Sequence, residues 1–454
     1  MRDDISRRDF VRAGATAGLG AALVPGFGCA PAPFGQGPAP QQASPLFTAP
    51  PLERVRMGFV GIGGMGSVHL ANYLQLEGVE VKAVCDVDPS HAARAKQRVV
   101  QAGRPEPAVY DRGPRDFERM CDEQELDLVL TATPWEWHVP VCLAALRTGK
   151  HAATEVPAAV TLDECWQLVE AAERYRKHCV MLENCCYDRR EMLMLNLVRQ
   201  GIFGELLHGE CSYQHDLRDV KFSTEGEGLW RRAHAMRRNG NLYPTHGLGP
   251  IAQCFDINRG NRFDHLVSMS GPSRGLQLWQ QEHLAADDPR RSERYVLGDL
   301  NLTLIQTAQG QTIYLVHNTN DPRPYSRLNA IQGTRGLMQG WPDRIYVEGR
   351  SAHEDDWEPL DAWFAQSEHP LWKSERVRTA SGGHGGMDFL EDWRLITCLR
   401  GGLPTDWDVY DAAAWSCISE LTERSVADRS RTMDVPDFTH GAWRTRPPLG
   451  IVEG

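Results

Sequence analysis

The sequence predicts an α/β chain: an N-terminal Rossmann domain with a doubly wound parallel sheet, then an α+β domain with a large, mostly antiparallel sheet. Three observations carry this expectation. A glycine-rich turn, GIGGMG at residues 61–66, stands between an apolar strand and an amphipathic helix. Strand-like and helix-like runs then alternate as far as Tyr175, the rhythm of a parallel sheet with helical crossovers. Beyond that point strands dominate and include a long hairpin, DLNLTLIQTA and TIYLVHNTND, turning at Gln309 and Gly310. With 454 residues and 41% apolar content the chain can fill two cores.

Residues 1–30 read as an export signal. SRRDFVRAG, from Ser6, places twin arginines before AGATAGLGAALV, a weakly apolar run too short to span a membrane. Twin arginines address a chain to the pathway that carries folded proteins, so a periplasmic or extracellular location is expected. Cys29 in GFGCA is a candidate for lipid attachment, although Gly26 poorly matches the apolar residue such sites carry three positions earlier. Residues 31–52, rich in Pro, Gln, Ala and Gly, read as a flexible tether.

Residues 53–177 read as the dinucleotide-binding domain. Gly61 permits the tight turn, Gly63 lets the backbone approach a pyrophosphate, and Gly66 lets the helix lie close to the sheet. The helix N-terminus offers its N–H groups to the phosphates. The second strand, VEVKAVCDVD, carries Asp86 twenty residues after Gly66, where a carboxylate accepts the ribose hydroxyls of NAD and repels the 2′-phosphate of NADP. DLVLTAT is an unbroken apolar strand, as a doubly covered parallel sheet requires. At its ligand-binding end comes PWEWH, with Trp135 and His138, and HAATEVPAA supplies the next strand before a helix from Leu162 to about Tyr175.

Residues 178–454 read as the α+β substrate domain. CVMLENCCYDRR gives a strand and turn carrying Asn184 and Tyr187, with Cys185 and Cys186 as buried thiols at the strand end. ELLHGECSYQHDLRD is a strand bearing Tyr213, and further strands fit RLNAIQG and RIYVEG. MDFLEDWRLITCL and VYDAAAWSCISELTERSV fit helices. The basic run RRAHAMRR, from Arg231, reads as a solvated loop unless it lines a pocket. NLYPTHGLGP, residues 241–250, reads locally as a helix start with Pro244 in front, Thr245 as cap and glycines for close packing.

A net charge of −11 argues against nucleic acid or an anionic membrane surface as the main partner. Apart from Cys29, eleven of the twelve cysteines remain, with no CxxC spacing, so neither a disulfide framework nor a zinc site is expected. GGHGGMD places His384 and Asp388 four apart, too few ligands for a metal, and reads as a tight loop ahead of the last helices.

GIGGMG, Asp86, PWEWH, the EVP at Glu155 and NLYPTHGLGP together resemble the Gfo/Idh/MocA oxidoreductase superfamily and, within it, glycoside hydrolase family 109, known for alpha-N-acetylgalactosaminidase activity. The likeness covers nearly the whole chain beyond the tether. It implies NAD as cofactor, with Met65, Gly66, Asp86, Trp135, His138, Glu155, Val156 and Asn184 among its contacts. It implies Tyr213, Arg231, Tyr243, His246 and Tyr325 as sugar contacts, and subunits of this superfamily often pair through the broad sheet. Ordinary sugar dehydrogenases of the group carry Glu-Lys-Pro, whose lysine moves a proton; here the triplet is Glu155-Val156-Pro157. Valine cannot do that chemistry. His246 is then the candidate base for the C3 hydroxyl, with Tyr243 or Tyr187 for the C2 proton.

The implied reaction oxidises C3, eliminates the C1 aglycone, adds water and reduces C3 again, so that NAD is restored in each cycle. Three readings stay open on sequence alone: the same mechanism on another glycoside, a plain NAD-dependent sugar 3-dehydrogenase, and a non-catalytic exported sugar-binding protein.

Overall fold

A strand of Val, Met, Gly and Phe, β1 (Val55–Val60), forms the centre of the first sheet, because almost every side chain on both of its faces is buried. The computed structural model describes residues 48–374, 377 and 383–451. The twin-arginine segment, Cys29 and the tether up to residue 47 lie outside the described residues. Around β1 run β2 (Val79–Cys85), β3 (Ala108–Tyr110), β4 (Leu128–Thr131), β5 (His151–Thr154) and β6 (Cys179–Met181). The order β3-β2-β1-β4-β5-β6, all parallel, is that of a Rossmann sheet. Strand order reverses between β1 and β4, so the crevice above their C-terminal ends is where a dinucleotide lies.

The crossover helices start where the sequence supplies caps. Thr161 and Glu164 form a reciprocal capping box at the helix Leu162–Tyr175, and Asp88 accepts from Ser90 N–H at the helix Pro89–Gln101. The strand of CVMLENCCYDRR pairs with β5, so the parallel sheet continues through Met181, past the boundary expected at residue 177. Cys185 and Cys186 follow in a 3-10 turn, Asn184–Tyr187, rather than in a strand.

The second sheet has eight strands in the order β13-β12-β11-β7-β10-β9-β8-β14. These are β7 (Leu206–Gln214), β8 (Phe263–Ser270), β9 (Asn301–Thr307), β10 (Thr312–Asn318), β11 (Ala330–Gly333), β12 (Gly336–Gln339), β13 (Arg344–Val347) and β14 (Met433–Asp434). Only the β7–β10 pair is parallel. The hairpin expected at Gln309 and Gly310 is β9–β10.

One face of this sheet carries the helix Thr245–Cys254. Two glycines set its depth: a Cβ on Gly247 would stand 2.5 Å from Ser212 N on β7, and one on Gly249 would stand 2.9 Å from Cys186 Sγ. Only hydrogen at both positions lets the helix lie between β7 and the Asn184–Tyr187 turn. Thr245 is the first helical residue and its hydroxyl is buried without a partner, so it is not the expected cap. The basic run from Arg231 is a helix, Arg231–Arg237, not a loop.

The helix Met387–Gly401 returns from the end of the chain to the first sheet. It docks on the helix Gly64–Tyr73 that follows the glycine turn. Among the described residues no helix is long and apolar enough to cross a membrane, and all eleven cysteines are buried free thiols.

Candidate active site

The glycine turn has the geometry its sequence demands. Gly61 has φ +78°, and a Cβ there would meet Ala132 at 2.9 Å. A Cβ on Gly66 would stand 2.0 Å from Gly61 O. Around Gly63 the nearest foreign atom to a Cβ is His91 at 3.6 Å, and around Gly64 there is none within 4 Å, so that side is open. No side chain caps the helix Gly64–Tyr73, which leaves its first N–H groups aimed at that space. Asp86 stands at the end of β2, its carboxylate fixed by Ile62 N–H at 2.7 Å and Asp88 N–H at 2.9 Å.

Gly61, Gly63, Gly64, Asp86 and His91 line one cavity of about 570 Å³. Asp86, Val87 and Phe117 lie along it, as do Met65, His138, Glu155 and Val156. Trp135, Arg231 and Tyr243 line it as well. The volume, the glycine opening, the bare helix end and the ribose-facing carboxylate fit a dinucleotide without a 2′-phosphate.

Glu155 is held from two sides. His69 Nε2 lies 2.8 Å from Oε1, and Val156 N–H donates to Oε2 at 3.0 Å. His69 in turn places Nδ1 2.9 Å from Asp392, on the returning helix, and is fully buried. Burial works against the imidazolium, but Asp392 and Glu155 raise the His69 pKa well above its usual value. Burial likewise pushes Glu155 up, and His69 more than offsets it, holding the carboxyl below its ordinary value. His138 has both ring nitrogens against carbonyls, Pro157 O at 2.7 Å and Thr133 O at 2.9 Å, so it pins the cavity wall.

The aromatic residues of the second half meet beside this cavity. Tyr213 and Tyr243 have ring centroids 4.6 Å apart, Tyr243 and His246 4.8 Å, and Tyr213 and His246 5.5 Å. Tyr325 lies 6.2 Å from Tyr213, and Trp135 stacks on Tyr243 at 5.7 Å. The Arg231 guanidinium sits 4.9 Å from the Trp135 ring and 5.2 Å from that of Tyr243. Its Nε is 2.9 Å from the Glu227 carboxylate but off the line of a hydrogen bond, so that contact is ionic. The helix from Arg231 therefore lines the pocket instead of being solvated.

Not every anticipated residue joins the cluster. Tyr187 is buried elsewhere, donating to Asp406 at 2.6 Å and packed on Trp407. Asn184 donates to Asp388 at 2.6 Å, and Asp388 takes His384 Nδ1 at 2.8 Å. The His384 and Asp388 loop thus ties the last long helix to the turn after β6. Burial pushes the Tyr243 phenol well above its usual pKa, with Arg231 drawing it back down, and Tyr187 also goes up. Neither shift favours a phenolate. His69, Asp392 and Glu183 were missed from sequence; His69, three residues after Gly66, is recognisable only once the returning helix is placed.

Residues 55–183 match the family model described as an oxidoreductase family with an NAD-binding Rossmann fold. Residues 187–445 match the C-terminal domain of glycosyl hydrolase 109. The chain belongs to glycoside hydrolase family 109. A glycosyl hydrolase family 109 protein of Shewanella baltica strain OS155 is 46% identical over 459 residues, covering 99% of both chains. Another from Shewanella sp. strain MR-4 is 48% identical over 410 residues, 89% of both.

Solved structures share the fold at lower identity. An NAD-binding oxidoreductase of Klebsiella pneumoniae superposes with a TM-score of 0.67 at 17% identity, over 85% of this chain and 99% of that one. A levoglucosan dehydrogenase solved with NADH and L-sorbose gives 0.65 at 19% identity, over 85% and 100%. This family-109 enzyme uses NAD, and it is an NAD-dependent glycosidase or sugar oxidoreductase.

Proposed function

We propose that the protein hydrolyses terminal alpha-N-acetylgalactosaminides through transient oxidation at C3, with no net change in its NAD. The observation that carries this reading is the His246–Tyr243–Arg231 cluster against the dinucleotide cavity, with Val156 where related dehydrogenases carry lysine. NAD, when bound, supplies the acceptor and donor of the C3 hydride.

The side chains do the rest. His246 accepts the C3 hydroxyl proton as the carbon is oxidised. The resulting ketone acidifies C2–H; burial keeps the Tyr243 phenol protonated, so the C2 proton passes to solvent, and the Arg231 guanidinium beside that ring meets the enolate charge left behind. The C2 electron pair forms the double bond to C1 as the aglycone leaves. Water adds at C1, the proton returns to C2, and His246 gives its proton back as C3 is reduced. The rings of Trp135, Tyr213 and Tyr325 offer apolar faces to the sugar, and Arg231 offers donors to its hydroxyl or acetamido oxygens.

A carboxylate-pair mechanism has less support. Of the nearby acids, Glu155 is engaged by His69, Glu183 by His246, and Glu227 by Arg231. A sugar dehydrogenase that releases a 3-keto product is the second reading, favoured only by the shared fold. The test is turnover of an aryl alpha-N-acetylgalactosaminide by the NAD-loaded protein with no electron acceptor. Many turnovers per bound NAD are expected; a single turnover ending in a 3-keto sugar would favour the dehydrogenase.

Export through the twin-arginine pathway is part of the proposal, because a chain that folds around NAD before export carries its cofactor with it. We also assign the outward face of the second sheet to a second copy of the chain. Met269, Leu302 and Leu304 lie side by side there, 62%, 37% and 53% exposed.

A further inference from the structure

Glu183 lies two residues beyond β6, just before the Asn184–Tyr187 turn, and is completely buried. Its Oε1 lies 2.7 Å from His246 Nδ1, across 63 residues of chain, and also accepts the Cys185 N–H at 3.2 Å. The approach is engineered by the glycine at 249, since a Cβ there would crowd Glu183 Cγ at 3.1 Å. The other oxygen, Oε2, is buried with no hydrogen-bond partner. A half-satisfied buried carboxylate is costly, and a purely structural link would use both oxygens.

We propose that Glu183 is the positioning residue of His246: it holds the imidazole proton on Nδ1, so that Nε2 presents its lone pair to the sugar. This rests on the reading of His246 as the base. An ionised carboxylate only accepts hydrogen bonds, and both groups facing Oε1 must therefore be donors. The Cys185 amide is one; His246 Nδ1–H is the other. With that tautomer fixed, a proton arriving at Nε2 makes an imidazolium whose charge is met by the adjacent carboxylate. The pair thus favours the state formed as C3 is oxidised and returns the proton when C3 is reduced.

A metal site is the rival use of these atoms, since Glu183, Cys185 and His246 bring ligand atoms within 4.8 Å of one another. Burial pushes the Cys185 thiol well up, and that thiol donates to Asn184 Oδ1 at 3.4 Å, which leaves it protonated and occupied.

The experiment is nitrogen-15 NMR of histidine-labelled, NAD-loaded full-length protein, with His246→Gln to assign the signal. In the wild type the neutral ring should carry its proton on Nδ1; a proton on Nε2 would overturn the proposal, whatever the enzyme cleaves. Glu183→Gln can turn its amide N–H toward Nδ1 and release the tautomer. Its kcat should fall roughly 10²- to 10⁴-fold with KM and NAD content little changed. Glu183→Asp should keep the Nδ1–H tautomer and recover part of kcat. If Glu183→Gln keeps both the Nδ1–H tautomer and kcat within about twofold, Glu183 is structural only. A wild type with the Nδ1–H tautomer but no glycoside cleavage would refute the functional reading and leave the pair standing.

Discussion

His246 and Tyr243 sit three residues apart on YPTHGLGP, and the helix they open explains both the spacing and the glycines. Gly247 and Gly249 let the helix sink onto β7 and the turn after β6, which brings His246 to Tyr213 on one side and Glu183 on the other. Replacing His246 with alanine removes the proposed proton acceptor without touching the glycine turn or Asp86. Glycoside cleavage is expected to fall by roughly 10²- to 10⁴-fold while the protein still purifies with NAD, measured as cofactor released on denaturation. Loss of NAD together with activity would mean that His246 belongs to the cofactor site. At this scale much of the site was legible, because glycine turns and a ribose-binding acid have fixed spacing along the chain. Glu183 and His69 were not legible, since each acts on a partner 63 or more residues away. Tyr187 misled because a tyrosine beside a known turn says nothing about which way its ring points; here it faces Asp406.

β1 and β4 were readable because nearly every side chain on both of their faces is buried, which makes continuous apolar runs, whereas the short, half-exposed β3 was not. β8 escaped notice since its core side includes Ser268, whose hydroxyl is satisfied by Asn301 and Thr303, and a buried serine breaks the apolar alternation. β5 and the residue just before β6 hold a second buried feature, the stacked rings of His151 and His178, 5.0 Å apart. Burial lowers their pKa values to about 3 and about 4. Unfolded, each takes up a proton near pH 6.5; folded, each resists until those lower values. The unfolded state therefore binds more protons in between, and stability should decline as pH falls from about 6.5 towards 4. His178→Phe keeps a ring in the stack and removes the unpartnered Nε2. Urea unfolding between pH 6 and pH 4.5 should show a slope shallower by about 1.4 kcal/mol per pH unit, the value of one proton. An unchanged slope would place the acid sensitivity elsewhere.

Across the whole molecule, two sheets meet beside one cavity: the first contributes the glycine turn, Asp86 and Glu155, the second Tyr213, and the helices Arg231–Arg237 and Thr245–Cys254, with the residues before them, Arg231, Tyr243 and His246. The returning helix Met387–Gly401 fastens this arrangement from behind through Asp392, His69 and Glu155. The exposed side of the second sheet is left with Met269, Leu302 and Leu304 in a row. Light scattering should give a dimer mass for the full chain, and Leu304→Glu should give a monomer; a wild-type monomer would remove that role from the sheet. The central claim is that cleavage passes through a C3 ketone and loss of the C2 proton. Its most direct test is hydrolysis of an aryl alpha-N-acetylgalactosaminide in deuterated water without an electron acceptor, followed by NMR of the released sugar. Deuterium at C2 of a fully reduced sugar is the expected result. Hydrolysis with no deuterium at C2 would contradict the account and return the search to a pair of carboxylates.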